Sequence, residues 1–327
     1  MKRFIEHNPH ERLPLPAVGK QRASVHEFDA PSIAAVNAAL AANRPLLLRG
    51  EPGIGKSQLA RAAAVALGRA FISHVVDART ESRDLLYHYD AVTRLAHAQV
   101  LGALKKAPKE VNAELQMEKF LRPGALWWAF DWEDAKKRLG GAEYVLDDAQ
   151  AKAGWVVLID EIDKGEPDVP NGLLEALGSG CFQPPGYRTV TIEGELPLVI
   201  ITTNEERSLP TAFLRRCLSL TMSVPELPRQ RAEFELYLVN RGEAHFGDEL
   251  TKPVYEAAAR LTTDDRIAAK NIARYPLPGQ AQYIDILRAL RELDQTEEAR
   301  LARLGKIAGF FLGSPSTELG VPGPAGE

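Results

Sequence analysis

The chain has 327 residues, enough to bury a full core and to divide into two domains. Apolar residues make up 45% and charged residues 26%, and 40 basic against 44 acidic residues leave a net charge of -4. That balance excludes a chain held on nucleic acid by bulk charge, while a local basic groove stays compatible with it.

Residues 1–23 carry Pro9, Pro14 and Pro16 without a clear period and are expected to form an extended arm. From Pro31 to Ala42 the segment is alanine-rich, and Ile33, Val36 and Leu40 fall at helical spacing. Residues 45–50 form a short apolar run ending in Gly50, which suits a buried parallel strand. Leu59, Ala63 and Ala66 share one face of an expected helix over 56–67, and residues 71–76 read as the next strand. Residues 80–153 mix polar helices with the Trp127-Trp128 pair and with breaks at Pro123-Gly124 and Gly140-Gly141. Strands follow at 155–160, 197–203 and about 217–224, with a helix at 169–177. From Pro225 to about Leu312 the pattern is helical, and the Gly-, Pro- and Ser-rich residues 313–327 read as a disordered tail. Strands alternating with helices predict an α/β fold with a parallel sheet, followed by a helical second domain.

Residues 50–57, Gly-Glu-Pro-Gly-Ile-Gly-Lys-Ser, fit G-x-x-x-x-G-K-[ST] between an expected strand and an expected helix. Average residue usage produces this pattern by accident in roughly 1 chain in 100 of this length, and the correct flanks lower that further. Gly50, Glu51, Pro52, Gly53, Ile54, Gly55, Lys56 and Ser57, with Gln58 behind them, are therefore candidate phosphate-binding residues. Glycines let the backbone wrap phosphate, and N–H groups at a helix N-terminus favour anionic oxygens. Lys56 is placed to reach the β- and γ-phosphates of ATP, and Ser57 to ligate Mg²⁺. The strand 155–160 ends in Asp160, a second candidate Mg²⁺ ligand, and Glu161 follows as a candidate general base. Asn204, after the strand 197–203, lies where the carboxyl ends of parallel strands meet a ligand and could orient the attacking water.

In order and spacing, residues 50–57, Asp160-Glu161, Asn204 and Arg215-Arg216 resemble an AAA+ ATPase. The wording around them is similar to the MoxR-type, helix-2-insert branch: Leu158-Ile-Asp-Glu-Ile-Asp-Lys164, Asn171-Gly-Leu-Leu-Glu-Ala-Leu177, Leu209-Pro-Thr-Ala-Phe-Leu-Arg-Arg216 and Phe120-Leu-Arg-Pro-Gly-Ala-Leu126. The resemblance covers about residues 25–312 and implies an αβα core with a five-stranded parallel sheet at 24–224 and a small helical lid at 225–312. It further implies a homo-oligomeric ring, usually a hexamer, with ATP at each interface. Arg215 or Arg216 would then be the arginine finger acting on the neighbour's site. The family often places an arginine near the start of a lid helix to touch the γ-phosphate in cis. Residues 276–283 carry Gln280 and Gln282 there instead, so Arg274, Arg288 or no residue would fill that role.

Other features take simpler readings. Trp127, Trp128, Phe130 and Trp132 read as core packing, and the runs Lys105-Lys106 and Lys136-Lys137-Arg138 as solvated helix faces. His88 and His97 lack companions at metal spacing. Cys181 and Cys217 also lie outside such spacing and read as two buried thiols in a reducing compartment. No apolar run approaches the ~20 residues of a membrane span, and no signal-peptide core follows Lys2 and Arg3, so a cytoplasmic protein is expected. The leading functional expectation is a MoxR-like chaperone ATPase that remodels a client, such as a protein with a von Willebrand A domain. A nucleic-acid translocating motor of a restriction or defence system and a slow nucleotide-gated switch are the alternatives.

Overall fold

The structure is a computed structural model, and it describes residues 4–17, 22–104, 106–138 and 147–312. The Gly140-Gly141 break, Lys105 and the expected tail at 313–327 lie outside the described residues. Two compact units divide the chain, one of Met1–Glu11, Phe28–Gly50 and Lys56–Thr221, the other of Arg12–Glu27, Glu51–Gly55 and Met222–Glu327.

In chain order, β1 (Arg12–Leu15) pairs antiparallel with β2 (Ser24–Glu27). Helix α1 (Ala30–Ala42) begins where Asp29 accepts from the Ser32 N–H at 2.8 Å, and it stops at Asn43 in the left-handed region. Then come β3 (Leu46–Arg49), α2 (Lys56–Leu67) and β4 (Ala70–Val75). The insertion that follows holds β5 (Tyr87–Tyr89), α3 (Ala91–Ala103), α4 (Pro108–Glu114), β6 (Leu121–Pro123), α5 (Ala125–Phe130), α6 (Trp132–Arg138) and α7 (Asp148–Ala153). The chain returns through β7 (Trp155–Asp160), α8 (Asp168–Ser179), the ribbon β8 (Cys181–Phe182) and β9 (Val190–Thr191), and β10 (Leu198–Thr203). It closes the first unit with α9 (Thr211–Arg216) and β11 (Leu218–Thr221).

The main sheet has five strands in the order β11-β3-β10-β7-β4, and every pairing in it is parallel. Its central strands are apolar almost throughout because both faces are covered: every residue of β10 is buried, and so is β7 up to Asp160. Alanines 60, 62, 63 and 64 let α2 come close to the sheet. Trp127, Trp128 and Phe130 are buried in the core of this unit, in agreement with the packing role expected for them.

Arg138 departs from the solvated face expected of its basic run. Its guanidinium lies 3.7 Å from the Tyr187 ring centroid and bonds Asp134, because Tyr187 and Trp127 also bond that carboxylate. Cys181 is half-buried rather than buried, since it sits in the two-residue β8 ribbon at the surface of the fold, while Cys217 is buried.

The second unit is built on α10 (Arg231–Phe246), α11 (Lys252–Asn271), α12 (Gln280–Leu293) and α13 (Glu297–Leu312). Phe234, Leu238, Tyr255, Tyr283 and Leu287 form its core. Among the described residues no helix is long and apolar enough to cross a membrane.

In α10, burial, with smaller contributions from Arg241 and Arg288, pushes the His245 imidazole down to about 4. A base whose folded pKa is depressed costs stability as pH falls, because the unfolded chain takes up a proton that the folded one refuses. The penalty opens near pH 6.5 and is complete near pH 4. Denaturant titration is expected to show that the native chain loses about 2 kcal/mol more between pH 7 and pH 5 than His245→Gln does. Parallel pH profiles would contradict this.

Candidate nucleotide site

Parallel strands bring their carboxyl ends to one edge of the sheet, and β3, β10 and β7 are neighbours in it. Gly50, Asn204 and the Asp160-Glu161 pair, four of the residues expected to act together, therefore emerge side by side. Between β3 and α2 the loop backbone has positive φ at Gly50 (139°), Gly53 (79°) and Gly55 (104°), values that favour glycine over any residue with a Cβ.

Lys56 opens α2 and is only 6% exposed. Its Nζ donates to the Gly50 carbonyl at 2.6 Å and to Asn204 Oδ1 at 2.8 Å, so the lysine folds back over its own loop and ties it to β10. The Ser57 hydroxyl donates to both oxygens of Asp160, at 2.8 and 3.0 Å. Beside it, the buried Thr202 hydroxyl donates to Asp160 Oδ1 at 2.5 Å and accepts from the Glu161 N–H at 2.9 Å.

Glu161 has φ 59° and ψ 46°, a left-handed conformation uncommon outside glycine and asparagine. Thr202 pins the N–H of that strained residue, and the side chain is held as well. Asn204 Nδ2 donates to Glu161 Oε1 at 3.2 Å, and Lys164 Nζ donates to Oε2 at 2.7 Å. That bond to Glu161 is the chief reason the Lys164 ammonium is held above its ordinary range. The oxygens of Ser57 and Asp160 form the hard-oxygen pair that Mg²⁺ prefers, next to a loop of backbone N–H groups suited to phosphate.

The profile of the family described as "AAA domain (dynein-related subfamily)" matches residues 45–217, more than half of the chain. The chain belongs to that family. Its fold is the AAA+ αβα core followed by C-terminal helices, and membership carries nucleotide binding and, for the family in general, ATP hydrolysis. Among solved structures, a candidate ATPase of Cytophaga hutchinsonii is 13% identical, over 85% of this chain and 78% of its own, with a TM-score of 0.35. A RuvB variant from Thermotoga maritima is 14% identical, over 85% of this chain and 68% of its own, with a TM-score of 0.44. No curated protein matches.

In this AAA domain Arg215 and Arg216 end α9, and both side chains are exposed. Their carbonyls accept from the Arg44 guanidinium, which anchors the backbone and leaves both side chains outward. In the helical unit, Arg274 pairs with Asp265, and Arg288 pairs with Asp285 at 2.5 Å. Gln280 receives the Tyr237 hydroxyl, while Gln282 Oε1 accepts from the Gly279 N–H at 3.0 Å and so caps its own helix.

Thr202 and Lys164 are contacts that sequence reasoning missed. Thr202 reads as an ordinary β-branched strand residue, and its only signal is a hydroxyl at the polar end of an apolar run. Replacing Thr202 with Val keeps the shape and removes both hydrogen bonds at Asp160 and Glu161. The Mg²⁺ concentration for half-maximal nucleotide binding is expected to rise about tenfold, near the ~1.4 kcal/mol of one lost bond in such a site. An unchanged requirement in a Mg²⁺ titration would show that Thr202 only fills space.

Proposed function

We propose that this chain is an Mg²⁺-dependent ATPase, working as one subunit of a homo-oligomeric ring of MoxR type that remodels or activates a partner protein. One observation carries the hydrolytic reading. A buried ammonium (Lys56), a hydroxyl–carboxylate pair (Ser57 and Asp160) and a held carboxylate (Glu161) meet at three adjacent strand ends. A domain organisation of a nucleotide-binding core at 24–224 and a lid at 225–312 accompanies this reading.

Ser57 and Asp160 would hold Mg²⁺, which when bound neutralises charge on the β- and γ-oxygens. The chain's own residues do the rest. Lys56 moves from the Gly50 carbonyl and Asn204 Oδ1 to phosphate oxygens. Loop residues 50–55, apart from Pro52, offer backbone N–H groups. Asn204, freed of Lys56, orients water beside Glu161, and a Glu161 oxygen takes the proton as that water bonds to the γ-phosphorus and the bond to the β,γ-bridging oxygen breaks, releasing ADP and phosphate. For this to happen Glu161 must be released from Lys164, so the ion pair between them favours the resting enzyme.

The exposed Arg215 and Arg216 suit a reaction completed from outside the subunit. An arginine delivered into a neighbouring site is worth ~10³–10⁵ in rate. A client protein with a von Willebrand A domain is the partner class that the MoxR-type wording supports. Hydrolysis stimulated by DNA or RNA, and weakened steeply by salt, would instead assign the chain to the nucleic-acid motors.

Two experiments test the proposal. Glu161→Gln is expected to keep ATP bound while turnover falls ~10²–10⁴-fold, and Lys56→Ala to lose tight binding altogether. Equilibrium binding read beside steady-state hydrolysis separates the two, and undiminished turnover in Glu161→Gln would remove that carboxylate from the reaction. Activity per subunit is also expected to rise with protein concentration, and sedimentation with ATP to show a species well above the 35.9 kDa chain. Arg215→Ala or Arg216→Ala should remove the rise without dispersing the assembly. Full activity in a strict monomer would end the ring proposal.

A further inference from the structure

Glu51 is an odd residue to find in a loop built for anions. It stands one peptide beyond Gly50, and a carboxylate there repels the polyphosphate that the surrounding N–H groups attract. The helical unit, to which residues 51–55 belong, resolves the conflict. Arg266 on α11, whose side chain is 7% exposed, donates from Nη2 to Glu51 Oε2 at 2.6 Å. Its Nη1 donates to the Pro278 carbonyl at 2.8 Å, and its guanidinium lies 5.4 Å from the Phe234 ring centroid. Two contacts within the helical unit, with Pro278 and Phe234, thus fix the arginine apart from its bond to the loop. Two residues along, Gly53 runs so close to α12 that an added Cβ would stand 2.7 Å from the Ala281 Cβ. The loop is therefore held at Glu51 by α11 and closely approached at Gly53 by the start of α12.

We propose that Arg266 is a positioning residue of the phosphate loop: it neutralises Glu51, holds it away from the anion path, and so sets the loop's affinity for nucleoside polyphosphates. The inference rests on the nucleotide-binding reading above. It differs from a direct contact to phosphate, because Arg266 acts through Glu51, and it assigns the charge of the helical unit to α11 rather than to Arg274 or Arg288. Both of those guanidiniums are engaged with aspartates of their own.

The test is a mutant cycle read by titration with fluorescent ATP and ADP analogues. Arg266→Met is expected to weaken both nucleotides about tenfold, since Glu51 then loses the counter-charge of Arg266 beside the phosphate loop. Adding Glu51→Gln to Arg266→Met should restore binding to within about threefold of Glu51→Gln alone. A structural role for Arg266 through Pro278 and Phe234 would leave the double variant as weak as the single one. A direct phosphate contact would leave it weak and would penalise ATP more than ADP. Either result overturns the proposal.

Should Arg266→Met not fold, hydrogen exchange of the residue 50–57 peptide carries the test. Glu51→Gln is expected to speed exchange there while the α11 peptides stay unchanged, and an unaltered loop would refute the clamp. Native protein that binds neither nucleotide would fail the nucleotide-binding reading itself. Native protein that binds while every variant binds equally well fails this inference alone.

Discussion

The functional edge of the sheet depends on one constraint, the fixing of Asp160 by two hydroxyls from different segments. Ser57 comes from the first turn of α2 and Thr202 from the end of β10. Their bonds lock the carboxylate in one rotamer, and the same Thr202 oxygen holds the peptide N–H of Glu161 in its left-handed conformation. A carboxylate left to rotate would spread its charge over several positions. A pinned one presents its oxygens at a fixed place beside the loop, which is what preorganised electrostatics require. The order β3-β10-β7 matters for the same reason, because only neighbouring parallel strands can deliver all of these groups within hydrogen-bond reach.

Lys56 and Lys164 share a second theme. Each ammonium is parked on a neighbour in this cluster: Lys56 on the Gly50 carbonyl and Asn204, Lys164 on Glu161. A resting network that satisfies its own charges keeps a buried lysine affordable without substrate. Polyphosphate oxygens can replace the loop carbonyl and the amide as partners of Lys56. That exchange would free Asn204, so in the mechanism we propose nucleotide binding and the orientation of water are linked through one side chain.

Much of this architecture was legible in the sequence, for physical reasons. Strands covered on both faces must be apolar along their length, so 45–50, 155–160 and 197–203 stood out and correspond to β3, β7 and β10. Glycines at positive φ left their imprint on the loop as well. What stayed hidden depends on pairing across long separations. The Glu51–Arg266 bond joins residues 215 positions apart, and neither carries a local pattern that announces the other. Arg138 looked like one more solvated cation until Tyr187 and Asp134 came to it from elsewhere in the fold. The N-terminal segment, expected to be an extended arm, supplies β1, whose partner β2 begins nine residues after Leu15 at Ser24, with no alternation strong enough to reveal the pairing.

The proposal that Asp160 and Ser57 hold Mg²⁺ beside the phosphates implies that two protein oxygens retain the ion only when the nucleotide supplies the remaining ligands. Electron paramagnetic resonance of Mn²⁺ in place of Mg²⁺ tests it most directly. The account predicts one bound Mn²⁺ per chain when ATP is present, little binding without it, and loss of the nucleotide-dependent signal in Asp160→Asn. Equal Mn²⁺ binding with and without ATP, or an undiminished signal in Asp160→Asn, would contradict it.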